Sequence, residues 1–369
     1  MNLKTLSSEI GISKWELDTP ALLVDLDLME GNIDRMAGYM KKAGVDWRPH
    51  TKGIKVPAIA HKAVAAGAIG VTCAKLGEAE VMAAAGIGDI LIANQIVGAA
   101  KIARLVNLCR HADVIVCADD AGNVAELGAA AAAKGVKLRV VVEVNVGLDR
   151  CGVEPGEAAV ALSRQIAGTP GLIYAGVMGW EGHASVIEDP VEKEEACRAC
   201  VELLVRNAEL CTAAGLPVPI VTCAGTATYK ISAHVAGVTE IQAGGGIFTD
   251  VAYKSWGADD LDCSLTVLAT VTSRAAPSRA VLDAGRKTMF SSVALPQAKG
   301  IEGVGTPVFS AEHGSVDLSG DARRLKVGDK IEFIVGYGDD TVYLHDVLYG
   351  VRNDRVEAAW PIEGRGKLR

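Results

Sequence analysis

The chain has 369 residues, of which 50% are hydrophobic and 22% charged, and its formal net charge is -8. This length accommodates one large domain with a smaller one, and the composition is that of a folded globular protein. The acidic balance, without a long basic run, argues against nucleic acid and anionic membranes as partners. No stretch approaches the roughly 20 apolar residues of a membrane span.

The nine cysteines are odd in number and scattered. Secreted disulfide scaffolds are smaller and denser in cysteine, and the start of the chain has no apolar signal core. We therefore expect a reduced, cytoplasmic protein. Cys197 and Cys200 form a C-x-x-C, but they fall in a predicted helical stretch from Pro190 to Ala214. A redox motif would sit at a turn, and a zinc site would need a second ligand pair.

Short apolar runs of β type alternate with longer helical runs over the first two thirds of the chain. The strand-like runs are Ala21–Leu26, Val45–Arg48, Ile69–Ala74, Ile90–Ala93, Val114–Ala118, Leu138–Asn145, Ile173–Gly179, Pro219–Thr222 and Glu240–Ala243. The helical runs include Met29–Ala43, Gly77–Ala85, Ala99–Cys109 and Ala121–Lys134. Without a G-x-G-x-x-G fingerprint, this alternation favours a closed (β/α)8 TIM-type barrel over an open parallel sheet.

After about Tyr253 the pattern changes to short β-rich runs that are separated by turn signals. These runs are Leu265–Thr272, Arg279–Leu282, Lys330–Ile334, Val342–Leu344 and Val356–Trp360. They predict a second, mostly antiparallel β-domain. We assign residues 20–255 to the barrel, and residues 1–19 with 256–369 to the β-domain.

Lys52 lies just after the second predicted strand. Side chains alternate in an extended segment, so we expect Arg48, His50 and Lys52 on one face. Desolvation and neighbouring positive charge can lower the pKa of a lysine until its neutral amine is available near neutral pH. Lys52 is therefore a candidate Schiff-base lysine. The alternative is a surface lysine in a basic patch.

Polar residues and glycines concentrate at the carboxyl ends of the predicted strands, where barrel enzymes build their active sites. They are Lys52, Lys75, Asn94, and the segments 145–152, 180–183, 224–228 and 244–246. Glycine-bearing turns let backbone N–H groups approach an anion, so the last two segments predict a phosphate site. A phosphate there and a lysine across the rim suit pyridoxal 5'-phosphate (PLP). The alternative for the glycines is simple tight turns.

Several segments along nearly the whole chain match those of one enzyme family. They are 18–21, 48–52, 73–80, 147–153, 224–226, 240–244, 282–285, 312–314, 344–346 and 360–361, with the Asp250/Tyr253 pair. In these segments the chain resembles the D-threonine aldolase and D-serine dehydratase group of PLP enzymes. That group has fold type III, the alanine-racemase-type barrel followed by a β-domain.

The resemblance implies roles for individual residues. Lys52 would hold PLP as a Schiff base, and Arg150 would lie near the cofactor ring. The other cofactor-binding residues implied are His50, Gly225, Thr226, Gly244, Gly245 and Tyr253. The resemblance also implies a homodimer in which the partner's β-domain completes each site.

One departure from the family concerns a divalent metal (manganese, magnesium or zinc). The family places a His-x-Asp or His-x-Cys pair before the Leu-His-Asp segment, whereas this chain has Tyr337 and Asp339. A phenol with an ordinary pKa of about 10 is a poor metal ligand near neutral pH. Three alternatives stay open: no metal, a metal at Asp339, or recruitment of His313 or His345.

His183 is the preferred acid/base candidate, because an ordinary histidine titrates near neutrality. Its alternatives are substrate binding and a structural hydrogen bond, and Tyr337 is a further candidate to touch the substrate. We expect a lyase that cleaves the Cα–Cβ bond of β-hydroxy-α-amino acids of D configuration. The alternatives are a D-3-hydroxyamino acid dehydratase, an amino acid racemase and a PLP-binding carrier. Such carriers are single barrels, so the C-terminal region argues against the last.

Overall fold

The computed structural model describes residues 8–369, which divide into two compact units. One unit comprises residues 8–35, 53–58 and 245–366, and the other comprises residues 36–52, 59–244 and 367–369. The first seven positions of the predicted segment 1–19 lie outside the described residues. Over residues 8–369, no helix is both long enough and apolar enough to cross a bilayer.

The first unit contains, within the described residues, a mostly antiparallel sheet of nine strands. They are β1 (Ala21–Asp25), β10 (Leu265–Ala276), β11 (Arg279–Leu282), β12 (Gln297–Ala298), β13 (Val308–Phe309), β14 (Gly314–Asp317), β15 (Lys330–Ile334), β16 (Val347–Arg352) and β17 (Arg355–Pro361). The main strand order is β13-β14-β11-β10-β1-β16-β17, and β15 pairs with β10 and β12. Leu17, Leu23, Leu268, Tyr349 and Val356 pack in its core.

Two sequence predictions were wrong in this unit. β1 was placed in the barrel, but it pairs antiparallel with β10 and parallel with β16. A buried apolar run has the same pattern in either sheet, so the sequence could not choose between them. Val342–Leu344 was predicted as a strand, but it is a 3-10 helix that follows the short helix Gly338–Thr341. Three residues are too few for a period to tell the two apart.

The second unit contains eight parallel strands in the described chain, in the order β2-β9-β8-β7-β6-β5-β4-β3. They are β2 (Asp46–Trp47), β3 (Val71–Cys73), β4 (Asp89–Gln95), β5 (Asp113–Ala118), β6 (Leu138–Glu143), β7 (Leu172–Met178), β8 (Ile220–Cys223) and β9 (Glu240–Ile241). The Thr72 N–H donates to the Pro49 carbonyl at 2.9 Å, and the Thr51 N–H donates to the Thr72 carbonyl at 2.7 Å. These bonds join the two ends of the sheet, which confirms the predicted TIM-type barrel.

The longer helices of the described residues are Leu26–Ala43, Pro57–Ala65, Leu76–Ala84, Ala99–Leu108, Ala121–Lys134, Glu157–Gly168 and Pro190–Ala213. Their ends follow from local chemistry. The Asp189 carboxylate caps the last of them by accepting the N–H groups of Val191 and Glu192, and Pro190 occupies its first turn. This helix carries Cys197 and Cys200, which confirms the predicted helical location, and their thiols are free.

Candidate active site

Lys52 lies at the carboxyl end of the barrel strands. It follows residues 48–51, which come after β2 and form backbone hydrogen bonds with β3. Its side chain is half-buried. Its Nζ lies 5.7 Å from the centroid of the Trp180 ring, and Trp180 follows the end of β7. The Lys52 backbone N–H donates to Nδ1 of His50 at 3.3 Å, which fixes the orientation of that ring.

Arg48 does not share a cationic face with Lys52, so that prediction was wrong. Arg48 is only 1% exposed. Its Nη1 donates to Asp89 Oδ1 at 2.7 Å and its Nε to Glu240 Oε1 at 3.2 Å. Asp89 and Glu240 begin β4 and β9, which places this guanidinium at the amino end of the strands. Since β2 ends at Trp47, strand alternation does not extend to Lys52.

Trp180 brings together three of the predicted site elements. Besides Lys52 Nζ, the guanidinium carbon of Arg150 lies 4.7 Å from the Trp180 ring centroid. A Cβ added to Gly225 would lie 3.3 Å from Nε1 of the same indole. Sequence reasoning assigned no individual role to Trp180, although a large aromatic residue beyond a barrel strand is a usable signal in a chain with 4% aromatic residues.

The loop after β8 is held by Glu181, a second residue whose role sequence reasoning missed. Glu181 is fully buried. Its Oε1 accepts the Ser232 hydroxyl at 2.6 Å, and its Oε2 accepts the Ala224 N–H at 3.3 Å. Ala224 has φ 70°, a conformation that is uncommon for a residue with a side chain. The Glu181 carboxylate thus supports the strained start of the loop that carries Gly225 and the buried Thr226.

The glycine at position 244 has a packing reason. Its Cα lies against the backbone of His50, where a Cβ would collide with the His50 carbonyl oxygen. The His50 N–H donates to the Gln242 carbonyl at 3.0 Å, and the Trp47 indole N–H donates to the Ala243 carbonyl at 2.7 Å. Close approach of two backbones therefore requires glycine here whether or not a phosphate binds nearby.

These residues fit PLP, which requires an amine for its aldehyde and a loop for its phosphate. The Lys52 amine and the Gly225 loop face the same indole at one end of the barrel. Gly225 leaves open the space beside the indole that a Cβ would fill.

His183 lies in the loop after β7 and its side chain is exposed. Its Nε2 is 3.5 Å from Sγ of Cys200, and its ring lies over Gly147, whose added Cβ would come within 3.2 Å of Cε1. Burial, followed by the charge of Glu181, raises the pKa of Cys200 to about 11. Near neutral pH the thiol is therefore protonated, and its sulfur can accept the Nε2–H of the imidazole, which leaves the other ring nitrogen to accept a proton.

The carboxylates of Glu143 and Asp119 lie at the same end of the barrel as Arg150. The Gln95 amide donates to Glu143 Oε2 at 2.6 Å and to Asp119 Oδ2 at 3.1 Å. Burial raises the pKa of Glu143, while the Gln95 hydrogen bond and the charge of Arg150 oppose that shift. Arg150 therefore offsets part of the negative charge that the barrel collects here.

Tyr253, Tyr337 and Asp339 lie together in the other unit. The Tyr337 phenol donates to Asp339 Oδ2 at 3.2 Å, and the Tyr253 phenol lies 3.5 Å from Oδ1. The Tyr253 ring covers Gly245, where a Cβ would collide with it. Burial and then the charge of Asp339 raise the pKa of both phenols, so both are neutral near neutral pH.

The residues near Asp339 fit a divalent metal poorly. Over residues 8–369, no cluster of three or more His, Cys, Asp or Glu side chains is arranged to hold a metal. His345, considered as a substitute ligand, is buried with Nε2 at 2.9 Å from the Thr288 carbonyl. That nitrogen is committed to a backbone acceptor. His313, the other substitute considered, has an exposed side chain.

Family models match both parts of the chain. The alanine racemase N-terminal domain matches residues 24–251, and a D-serine dehydratase-like domain matches residues 264–351. D-threonine aldolase from an Arthrobacter species is 36% identical over 353 residues, covering 95% of this chain and 93% of that protein. 3-Hydroxy-D-aspartate aldolase from Paracoccus denitrificans is 36% identical over 377 residues, covering 97% of this chain and 94% of that protein.

Two further comparisons extend this picture. The crystal structure of D-threonine aldolase from Filomicrobium marinum has a TM-score of 0.94 at 35% identity, covering 98% of this chain and 99% of that one. D-threo-3-hydroxyaspartate dehydratase from a Delftia species is 34% identical over 280 residues, covering 74% of this chain and 73% of that protein. The relatives thus include both aldolases and a dehydratase.

Proposed function

The chain belongs to the alanine racemase N-terminal domain family, and we propose that it is a PLP-dependent lyase acting on D-configured β-hydroxy-α-amino acids. It cleaves the Cα–Cβ bond by a retro-aldol reaction and releases glycine or a similar amino acid with an aldehyde. One observation carries this proposal: the amine of Lys52 and the Gly225 loop face a common indole, in a chain similar over its length to D-threonine aldolase.

PLP, when bound, accepts electron density from the Cα of an amino acid and so stabilises the charge left when a bond to Cα breaks. Lys52 supplies the amine that attaches the cofactor. Gly225 and Thr226, with Gly244 and Gly245, are the residues that the resemblance assigns to its phosphate. Arg150, whose guanidinium carbon lies 4.7 Å from the Trp180 ring centroid, would add positive charge near the cofactor. His50 and Tyr253 complete the assigned set.

His183 is the residue we assign to the β-hydroxyl proton. As the O–H bond breaks, its electrons form the aldehyde C=O bond, and the electrons of the Cα–Cβ bond remain on Cα, which takes up one proton to give the amino acid product. The proton passes to the imidazole, which Cys200 and Gly147 hold at the mouth of the barrel. A positioned base of this kind contributes about 10²–10⁴-fold to rate. Tyr337 remains a candidate to bind the substrate.

Product analysis with a panel of D- and L-β-hydroxy amino acids, including threonine and 3-hydroxyaspartate, tests the proposal. We expect aldehyde from the D isomers, a visible absorption band from the lysine-bound cofactor, and loss of both in Lys52→Ala. Release of a keto acid without aldehyde would establish the dehydratase, which the Delftia relative makes the second candidate. Loss of optical rotation without either product would establish a racemase. A PLP-bound protein that turns over no substrate would establish a carrier.

We also infer a cytoplasmic homodimer. The nine cysteines are all free thiols, as is usual in a reducing compartment. The dimer follows from the resemblance, and light scattering of the purified protein tests it. A monomeric mass in the fully active protein would refute it.

A further inference from the structure

Asp339 occupies the position at which the resembling family holds a metal, and its carboxylate already has partners in this chain. The Tyr337 hydroxyl donates to Oδ2 at 3.2 Å. The Tyr253 hydroxyl lies 3.5 Å from Oδ1, and the same oxygen packs on Gly53, where no Cβ would fit. Both carboxylate oxygens are thus engaged from within the described chain.

The surroundings of Asp339 are aromatic. The ring centroids of Tyr253 and Tyr337 are 5.8 Å apart, and the Trp256 ring lies 5.5 Å from the first and 5.6 Å from the second. Magnesium-type ions retain several waters and need oxygen ligands, and zinc sites usually take three or more protein ligands. Three packed rings surround Asp339, and the nearby Asp250 carboxylate has both oxygens bonded to backbone N–H groups, so neither arrangement is supplied.

One buried carboxylate fixes the segments that carry the two phenols. Asp250 Oδ1 accepts the Tyr253 N–H at 2.8 Å, and its Oδ2 accepts the Gly338 N–H at 2.6 Å. Gly338 lies between Tyr337 and Asp339 in the chain, so Asp250 holds both segments in register. The backbone of both segments is therefore held in place, which positions the two phenols beside the Asp339 carboxylate.

We propose that the Tyr253–Asp339–Tyr337 cluster replaces the divalent metal of the resembling family, so that this protein needs no metal at that position. The exchange of a ligand histidine for Tyr337 removes a metal-binding nitrogen and supplies a hydrogen-bond donor that occupies the remaining carboxylate. The inference deepens the proposed function by specifying its cofactor requirement, but its main test measures metal binding and does not depend on activity.

The test is a titration of Mn²⁺ into the chelator-treated, PLP-loaded protein, with free Mn²⁺ followed by electron paramagnetic resonance. We expect the wild-type protein and Tyr337→Phe to leave the free Mn²⁺ signal unchanged. Tyr337→His, which restores the histidine–aspartate pair, should remove about one equivalent of Mn²⁺ per chain, and Tyr337→His with Asp339→Asn should lose that binding. Tyr337→Phe keeps the ring and controls for the loss of the phenol.

Wild-type protein that removes one equivalent of Mn²⁺, and loses that capacity in Asp339→Asn, would overturn the proposal. If Tyr337→His also leaves the signal unchanged, the claim that this one exchange removed the site is wrong. In the activity arm, aldehyde release that falls more than tenfold on chelation and returns with Mn²⁺ would likewise contradict it. Absence of aldehyde release under all metal conditions would count against the proposed function, while the resonance titration would still decide the metal question.

Discussion

The two ends of the barrel use similar residues in opposite ways. At the amino ends of the strands, buried Arg48 hydrogen-bonds to Glu240 and Asp89. Arg139 forms salt bridges with Asp89 and with Asp113, each at 2.8 Å. Each cation there meets carboxylates. The pairing satisfies charges that would otherwise be costly to bury.

At the carboxyl ends, Lys52 and Arg150 lie over the face of Trp180. An aromatic face attracts a cation through the negative face of its ring quadrupole. One carboxylate of this region, Glu181, accepts the Ala224 N–H and the Ser232 hydroxyl. The amino end thus pairs its buried cations with carboxylates, whereas at the carboxyl end an indole packs beside the two cations that the resemblance assigns to the cofactor.

Removing Glu240 should have the largest effect on stability. Glu240→Ala leaves the buried guanidinium of Arg48 without one of its two carboxylates, and we expect a loss of about 3–5 kcal/mol in the free energy of unfolding. Urea denaturation measures this quantity. Activity per folded molecule should remain near wild type, because the network lies at the opposite end from Lys52.

Asp113→Ala is the matched control for Glu240→Ala. The Asp113 side chain is 62% exposed, so its pair with Arg139 should be worth less than about 1 kcal/mol. Equal losses in the two variants would show that burial does not distinguish the members of this network, and the contrast between the barrel ends would fail.

Removing Glu181 should weaken the carboxyl end instead. Glu181→Ala leaves the Ala224 N–H and the Ser232 hydroxyl without their acceptor, at a cost of about 1–3 kcal/mol. Because the affected loop carries Gly225 and Thr226, we expect PLP affinity to fall by about tenfold or more. Absorbance titration of the apoprotein with PLP measures this change. Ser232→Ala, which removes only one hydrogen bond, should fall between wild type and Glu181→Ala. Unchanged affinity in Glu181→Ala would remove the link between this carboxylate and the loop.

The smallest expected effect is the contribution of Glu143 to the pH dependence of the free energy of unfolding. Burial raises its pKa in the folded protein above the ordinary value. Its contribution to stability is therefore fully present below the ordinary pKa of about 4.3 and is lost as pH rises through the raised pKa. Relative to Glu143→Gln, the wild-type free energy of unfolding should decline as pH rises through that window. A difference between the two proteins that does not vary with pH would contradict the assignment.

Much of the carboxyl end of the barrel was predictable, because the carboxyl ends of the parallel strands lie close together. The apolar runs located the barrel strands from β3 onward, and the polar residues that follow them had to meet at one rim. The sequence therefore predicts that Lys52 and Gly225 lie at the same rim. Arg48 could not be placed, because strand alternation stops at Trp47. The role of Glu181 could not be predicted, since it depends on hydrogen bonds to Ala224 and Ser232, which are far away in the chain.

The amino-acid sequence by itself determined the periodic pattern, hence the barrel, the β-rich region after it and the position of Lys52 beyond a strand. Only the tertiary structure decided that Ala21–Asp25 joins the antiparallel sheet, that Arg48 is neutralised by Glu240, and that Asp339 lies beside Tyr253. The physical reason is the distance along the chain over which each kind of signal acts. Periodicity and turn chemistry act between neighbours in the chain, whereas the partner of a buried charge is chosen by packing between distant segments.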